Sequence, residues 1–329
     1  MKPFKLFALA AVGLLSLAAC SESGKPESKT EAAPASAKIE CRLAYTAKAH
    51  YAPQILALKH SWFSTPEVNV QGVDLGMSAG IAAAEALVSG SADVAVMGDV
   101  PAIFALASKR PCVLLTSYGG GESMHSIVVS ANSGINAVKD LKGKRIGMQF
   151  GSSTHGAVHL YLKANEIELD KVTLVNIPQN TLVEALISGD IDALAASEPT
   201  PVLALGKAPG ARLLTALSGL GNDYPLMMVA SKEFADKNPE AVRAVIAGTR
   251  AGVDYINADP EKAGAELSQA TGAPVDLEVD TLRKLTWKVS LDESIVSSLE
   301  QTANFLHDIG KLDSVPDMKS LCWTEKTAD

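Results

Sequence analysis

Short apolar runs alternate with helix-period segments along most of the chain. "IECRLAYT" from Ile39 reads as a strand and "APQILALKHSWF" as a helix. "VNVQGVDLG", "DVAVMG" and "CVLLTSY" continue the strand series, with "AGIAAAEALVSG" and "PAIFALASK" as the helices between them. After Gly119–Ser123 ("GGGES") the scheme restarts. "MHSIVVSA", "RIGMQF", "KVTLVNI" and "DALAAS" predict strands, separated by "AVKDLKG", "THGAVHLYLKANE" and "NTLVEALISG" as helices. Continuous apolar strands alternating with helices predict mostly parallel sheets covered on both faces. Beyond Ser231 the pattern turns helical. "DKNPEAV" and "NADPEKA" place Pro at helix starts, and "LDESIVSSLEQTANFLHDIG" is amphipathic.

An internal repeat sharpens this layout. Glu85–Asp99 reads "EALVSGSADVAVMGD" and Glu184–Glu198 reads "EALISGDIDALAASE", 99 residues apart. Each copy is a helix end, a Gly stop, an Asp and a buried strand that closes on an acid, with Pro101 or Pro199 close behind. Two copies of one unit predict two similar lobes.

The N-terminus changes the picture next. Lys2 and Lys5 precede an apolar run from Leu6 to Ala19, too short for a stable membrane span. It ends Leu17-Ala18-Ala19-Cys20, which resembles the lipobox of a bacterial lipoprotein signal. The expected boundaries are a signal peptide at 1–19, lipidation at Cys20 and a disordered tether at 20–37, where small polar residues dominate. Such a chain is expected on the periplasmic or extracytoplasmic face, held at a bacterial membrane by its lipid. Of the three remaining cysteines, Cys41 and Cys322 are the favoured disulfide pair, the alternative being that all three, Cys112 included, are buried free thiols.

With 329 residues, 47% hydrophobic, the chain can bury about two domain cores. A net charge of −8 argues against a nucleic-acid surface.

Candidate chemistry gathers at strand ends, where ligands of open parallel sheets bind. Gly151-Ser152-Ser153-Thr154-His155 opens a helix, so its hydroxyls and N–H groups suit an anion or simply cap the helix. No Lys follows to make a Walker A loop, and G-x-G-x-x-G and G-x-S-x-G are absent. Ser152 or Ser153 stands too close to His155 along one turn for a catalytic triad. His155 and His159 share a helix face but have no further metal ligands in an evident pattern, so no metal site and no cofactor are expected. Lys48, His50 and Tyr51 follow the first strand, and Asp99 and Glu198 follow later ones. Carboxylates facing a ligand would need an amine or hydroxyl on it.

"EALVSGSADVAVMGDVPAI", "AVKDLKGKRIGMQFGSSTHGAVHLYL", "NTLVEALISGDIDALAASEPTP" and "ASKEFADKNPEAV" together resemble the substrate-binding lipoproteins of bacterial ABC importers, of the nitrate/sulfonate/taurine type. That group also includes binders of a thiamine pyrimidine precursor. The resemblance implies a two-lobed type II periplasmic-binding-protein fold, lobe 1 being 38–120 plus 225–329 and lobe 2 being 121–224. The C-terminal helices would pack on lobe 1. It implies a non-catalytic, monomeric protein that holds a small polar or anionic solute between lobes and passes it to permease and ATPase subunits, or a lipoprotein that presents it to a receptor. The ligand residues it implies are His50, Tyr51, Ser78, Asp99, Ser152, Ser153, Thr154, His155, Glu198 and Tyr224. Family members often carry an aromatic before the acid–Pro pair, whereas this chain has Ser197. The cysteine-rich motif of a pyrimidine-making enzyme with the same fold is missing.

Overall fold

The computed structural model describes residues 37–76 and 80–325. The signal segment, Cys20, most of the tether and Ser78 lie outside the described residues.

The strands are β1 (Ile39–Tyr45), β2 (Val68–Asp74), β3 (Val94–Met97), β4 (Cys112–Gly119), β5 (His125–Val129), β6 (Arg145–Met148), β7 (Thr173–Asn176), β8 (Ala193–Ser197), β9 (Arg212–Ala216) and β10 (Leu226–Ser231). The helices are α1 (Ala52–Lys59), α2 (Ile81–Ser89), α3 (Asp99–Leu106), α4 (Ser153–Ala164), α5 (Leu182–Ser188), α6 (Thr200–Lys207), α7 (Lys232–Lys237), α8 (Pro239–Ala258), α9 (Pro260–Thr271), α10 (Val275–Lys284) and α11 (Glu293–Asp308).

Two five-stranded sheets result, ordered β2-β1-β3-β10-β4 and β7-β6-β8-β5-β9. In the first, β2, β1 and β3 run parallel and β10 runs antiparallel to both neighbours. The second repeats this plan, with β5 as the antiparallel strand. Each antiparallel strand is the one that arrives from the other lobe, so the chain crosses between β4 and β5 and returns between β9 and β10. The fold is the two-lobed periplasmic-binding-protein type.

The repeated segments adopt one structure. α2 and α5 both end on a left-handed Gly, Gly90 (φ 84°) and Gly189 (φ 81°). Asp93 then accepts from the Arg42 backbone N–H at 2.9 Å and pairs with its guanidinium at 2.7 Å. Asp192 does the same with Arg145 at 2.8 and 2.9 Å. The Asp of the repeat therefore clamps an arginine of the neighbouring strand in each lobe, Arg42 midway along β1 and Arg145 at the start of β6, a bidentate arrangement that fixes register.

The central strands are apolar because both faces are covered; all of β3 and all of β10 are buried. The prolines expected at helix starts, Pro239 and Pro260, stand at the first positions of α8 and α9. α8 packs along α1 and over β4 and β2, on the first lobe. α11 packs against both α3 and α4, and so touches both lobes. Two strands were not expected: β9, which is half-exposed and so shows no apolar run, and β10, a buried apolar run directly after the return crossover.

The expected disulfide does not form. Cys41, Cys112 and Cys322 are free thiols. The tail joins the far edge of the sheet, with Leu114 N–H donating to Leu321 O at 2.8 Å and Trp323 N–H to Leu114 O at 2.8 Å. β4, β10 and β3 thus separate Cys322 from Cys41. Four strand spacings come to roughly 19 Å, far beyond the reach of a disulfide.

Candidate functional site

The strand ends of the two lobes face each other across a cavity of about 40 Å³. Lobe 1 contributes Lys48, His50 and Tyr51 after β1, Gly80 before α2, Gly98 and Pro101 after β3, and Leu226 at the start of β10. Lobe 2 contributes Met124 and His125 at the start of β5, Ser152–Thr154 at the start of α4, Gln179 after β7, and Ser197 at the end of β8.

Close approach of the lobes depends on glycine. A Cβ built on Gly98 lands on Ser153 Oγ and only 3.3 Å from Ser153 Cβ. A Cβ on Gly156 would stand 2.9 Å from Val100 Cγ2, where α4 meets α3. Polar contacts cross the cleft as well. Lys48 Nζ donates to Gln179 Oε1 at 2.7 Å. Lys284 Nζ, on α10, pairs with Glu198 Oε1 at 2.8 Å.

The Ser-Ser-Thr segment divides its labour. Ser152 is the N-cap of α4, accepting from His155 N–H at 3.3 Å while its hydroxyl donates to Gln149 O at 2.6 Å. Both of its capacities are taken up by its own helix start. Ser153 lies against Gly98 and Asp99. Thr154 Oγ1 is 3.0 Å from His125 Nδ1. With the hydroxyl donating to Nδ1, the His125 proton sits on Nε2. That atom is buried and has no partner, and the same is true of His50 Nε2. Buried polar atoms without a partner are uncommon, and two of them lining one cavity mark a place for a ligand.

Four of the residues predicted for the site are held elsewhere. Asp99 is buried, and its carboxylate accepts from Val100 N–H at 2.8 Å and from Thr302 Oγ1 at 3.2 Å. It joins α3 to α11 and does not line the cavity. Burial pushes its carboxyl pKa up, against hydrogen bonds from Ser153, Val100 and Thr302 that pull it down. Glu198 turns to Lys284; only its neighbour Ser197 lines the cavity. The His155 ring stacks on Phe150 with centroids 4.5 Å apart and does not line the cavity. Tyr224 donates to Leu217 O at 2.8 Å and stands edge-on to the His125 ring at 4.9 Å, so it positions that ring from behind. Its φ of 43° belongs to the return crossover, where Asn222 Oδ1 accepts its N–H at 2.8 Å. His50, Tyr51, Ser153 and Thr154 do line the cavity, as does Ser152 beside its capping role.

Met124, His125, Gln179 and Leu226 are cavity residues that sequence reasoning missed, and Lys48 was placed beside the cleft without a ligand role. His125 and Leu226 each open the strand that follows a crossover, and Gln179 follows a parallel strand's C-terminal end. Position relative to the strands was the available signal.

The His155–His159 pair is bonded within itself. Gly151 N–H donates to His155 Nδ1 at 3.3 Å, so the His155 proton sits on Nε2 and points to His159 Nε2 at 3.0 Å. The His155 Nε2 proton and the His159 Nε2 lone pair are spent on each other. Among the described residues no group of three or more His, Cys, Asp or Glu could hold a metal ion.

Burial lowers the pKa of four histidines: His50 and His125 to about 3, His155 and His159 to about 4. Depressed values mean the folded state favours the neutral rings. Their contribution is fully present above about pH 6.5 and is lost as pH falls, because the unfolded chain protonates first. Thermal unfolding should therefore show a Tm that falls markedly between pH 7 and pH 4. A Tm unchanged across that window would contradict the neutral, buried assignment.

Comparisons with known proteins agree with this geometry. The NMT1/THI5-like family model matches residues 48–263. A binding protein of Brucella abortus is 29% identical over 244 residues, covering 71% of this chain and 75% of the relative. The taurine-binding periplasmic protein of Escherichia coli is 28% identical over 258 residues, covering 72% of this chain and 77% of the relative. The alkanesulfonate-binding protein SsuA of Xanthomonas axonopodis pv. citri, solved bound to MOPS, superposes with a TM-score of 0.77 at 25% identity, covering 89% of this chain and 99% of that one.

Proposed function

The chain belongs to the NMT1/THI5-like family, and from that premise we propose that it is the extracytoplasmic solute-binding component of an ABC importer. It captures a small anion of the sulfonate or nitrate kind between its lobes, closes, and presents the closed form to a membrane permease and its ATPase. One observation carries the ligand class. The cavity is lined by hydroxyls, an amide, two histidines and one lysine, and among the described lining residues there is no carboxylate. A compact anion finds Lys48 and His50 on one wall and the unpartnered His125 Nε2–H on the other, the Ser153 and Thr154 hydroxyl protons being given to Asp99 and His125. Charge-assisted hydrogen bonds of this kind are roughly twice as strong as neutral ones. Taurine's ammonium would find no ionic partner there, since Asp99 and Glu198 are engaged with Thr302 and Lys284. A plain sulfonate is therefore the better fit than a zwitterion.

The experiment is native mass spectrometry of the freshly purified chain. An anion of low mass retained one per chain supports the assignment. A retained cation or a pyrimidine base as the specific ligand would replace it.

We propose further that Cys20 is lipidated and tethers the protein at the membrane, on the strength of Leu17-Ala18-Ala19-Cys20. Cys20→Ser should move the protein from the membrane fraction to the soluble extracytoplasmic fraction. Retention at the membrane would contradict the anchor.

A further inference from the structure

The cavity between the lobes is sized for a charged head group alone. About 40 Å³ admits roughly three or four water-sized groups, enough for a sulfonate sulfur and its oxygens. Carbon attached to such a head must leave the cavity. A way out leads past Lys48 and Gln179, because the same two residues line a second chamber of about 180 Å³. This chamber lies between α5 and α6, which pack side by side. Val183 on α5, Pro199 at the N-cap of α6 and Leu203 on α6 give it an apolar wall. Val183 belongs to the core of lobe 2 and Leu203 packs against that core, so burial fixes the wall. Glu184 and Lys207 stand exposed at the rim.

Apart from Lys48, every described residue of the chamber belongs to the segment 179–207 of lobe 2, so its wall is present whether the lobes are open or closed. Side chains alone bridge the two spaces. Lys48 Nζ donates to Gln179 Oε1 at 2.7 Å, and Gln179 Nε2 donates to Thr200 Oγ1 at 3.1 Å. An anion in the cavity draws the Lys48 ammonium from the neutral Gln179, since the bond between opposite charges is the stronger. The bridge is thereby loosened by the head group itself. A larger apolar groove along α2 and α3 shares only Pro101 with the cavity among their described lining residues, so it is the poorer continuation.

We propose that the α5–α6 chamber is a tail subsite, and that the solute is an organosulfonate whose apolar alkyl or aryl tail lies along Val183, Pro199 and Leu203. The subsite rests on the proposed anion-binding function and narrows its substrate class. Nitrate and methanesulfonate fill the head cavity and leave the chamber to water. A longer sulfonate also removes apolar surface from water on both the tail and the wall, which favours it over the compact anions.

The test is calorimetric titration of the purified chain with methanesulfonate, butanesulfonate and hexanesulfonate. Each methylene that enters the chamber should raise affinity about fourfold, the worth of one buried CH₂. With about three methylenes inside, hexanesulfonate should bind on the order of fiftyfold tighter than methanesulfonate. In Leu203→Ser that ratio should fall about tenfold, because the wall loses its apolar surface. A ratio taken within one protein does not depend on how much of the sample is folded. Binding of methanesulfonate with equal or weaker binding of the longer sulfonates overturns the subsite and leaves the anion site standing. A chain-length gain that survives intact in Leu203→Ser also overturns it, since the tail then lies elsewhere. Should that variant fail to fold, Asn180→Trp, at an exposed position of the same chamber, fills the space and must lower the ratio instead. Absence of binding by all three sulfonates would overturn the anion-binding function, and the subsite with it.

Discussion

A Gly98→Val chain should bind its anion at least a hundredfold more weakly than the parent while keeping its thermal stability in the absence of ligand. Gly98 ends β3 in lobe 1, and its missing side chain is where Ser153 of lobe 2 fits. The Gly98 backbone is extended, with φ −76°, so a valine there is not strained in itself. The added atoms collide only with the other lobe. The tight Cβ–Cβ approach of 3.3 Å and the backbone positions on both sides leave no room for a branched side chain. The lobes then stop short of contact, and the unpartnered His125 Nε2–H stays out of reach of a ligand held by lobe 1. A hundredfold loss is about 2.7 kcal/mol, the worth of one or two charge-assisted hydrogen bonds. Calorimetry measures the affinity, and small-angle scattering with saturating ligand should show a more open particle than wild type. Full affinity in the variant would mean that the cavity does not close as described.

Lys284→Met should weaken binding by about tenfold to a hundredfold. Glu198 is almost wholly buried, with its side chain 4% exposed, and Lys284 is its ionic partner across the cleft. Lys284 itself is 40% exposed, so the pair's direct attraction is modest. The cost falls on the carboxylate left behind, whose second oxygen already has no partner. Opening of the lobes lets water reach it, so the variant shifts toward the open form and away from the ligand. Glu198→Gln combined with Lys284→Met should recover part of the loss, because the buried charge is then gone. If Glu198 instead contacted the solute, Glu198→Gln alone would do the greater damage and Lys284→Met would change little.

The two-lobed fold was legible because the sequence repeats itself. The Gly stop, the Asp that clamps a neighbouring arginine and the buried strand recur after 99 residues, and each detail serves the same role in both sheets. Strands buried on both faces announce themselves as apolar runs. β9 did not, since it is half-exposed, while β10 is such a run, placed directly after the return crossover. The site was legible as a location, at the strand ends, but not as a set of side chains. Asp99 and Glu198 occupy matching places in the repeat and were expected to face the ligand. Asp99 is instead claimed by Thr302 of α11, 203 residues away, and Glu198 by Lys284, 86 residues away. No local pattern reports where a C-terminal helix will dock. His155 was misplaced for a similar reason. Its backbone belongs to the right helix start, but its ring is engaged with Phe150 and His159 and does not line the cavity.

The most direct test of the central claim is calorimetric titration with ethanesulfonate, taurine and the neutral amide ethanesulfonamide at pH 6.5. These share a two-carbon sulfonyl frame and differ in charge. A cleft lined by Lys48, His50, His125, Ser153 and Thr154, without a carboxylate among its described residues, predicts one ethanesulfonate per chain, weaker binding of taurine and none of the amide. Equal affinity for the amide and the sulfonate would contradict capture by charge, and tight binding of the amide alone would contradict an anion site altogether.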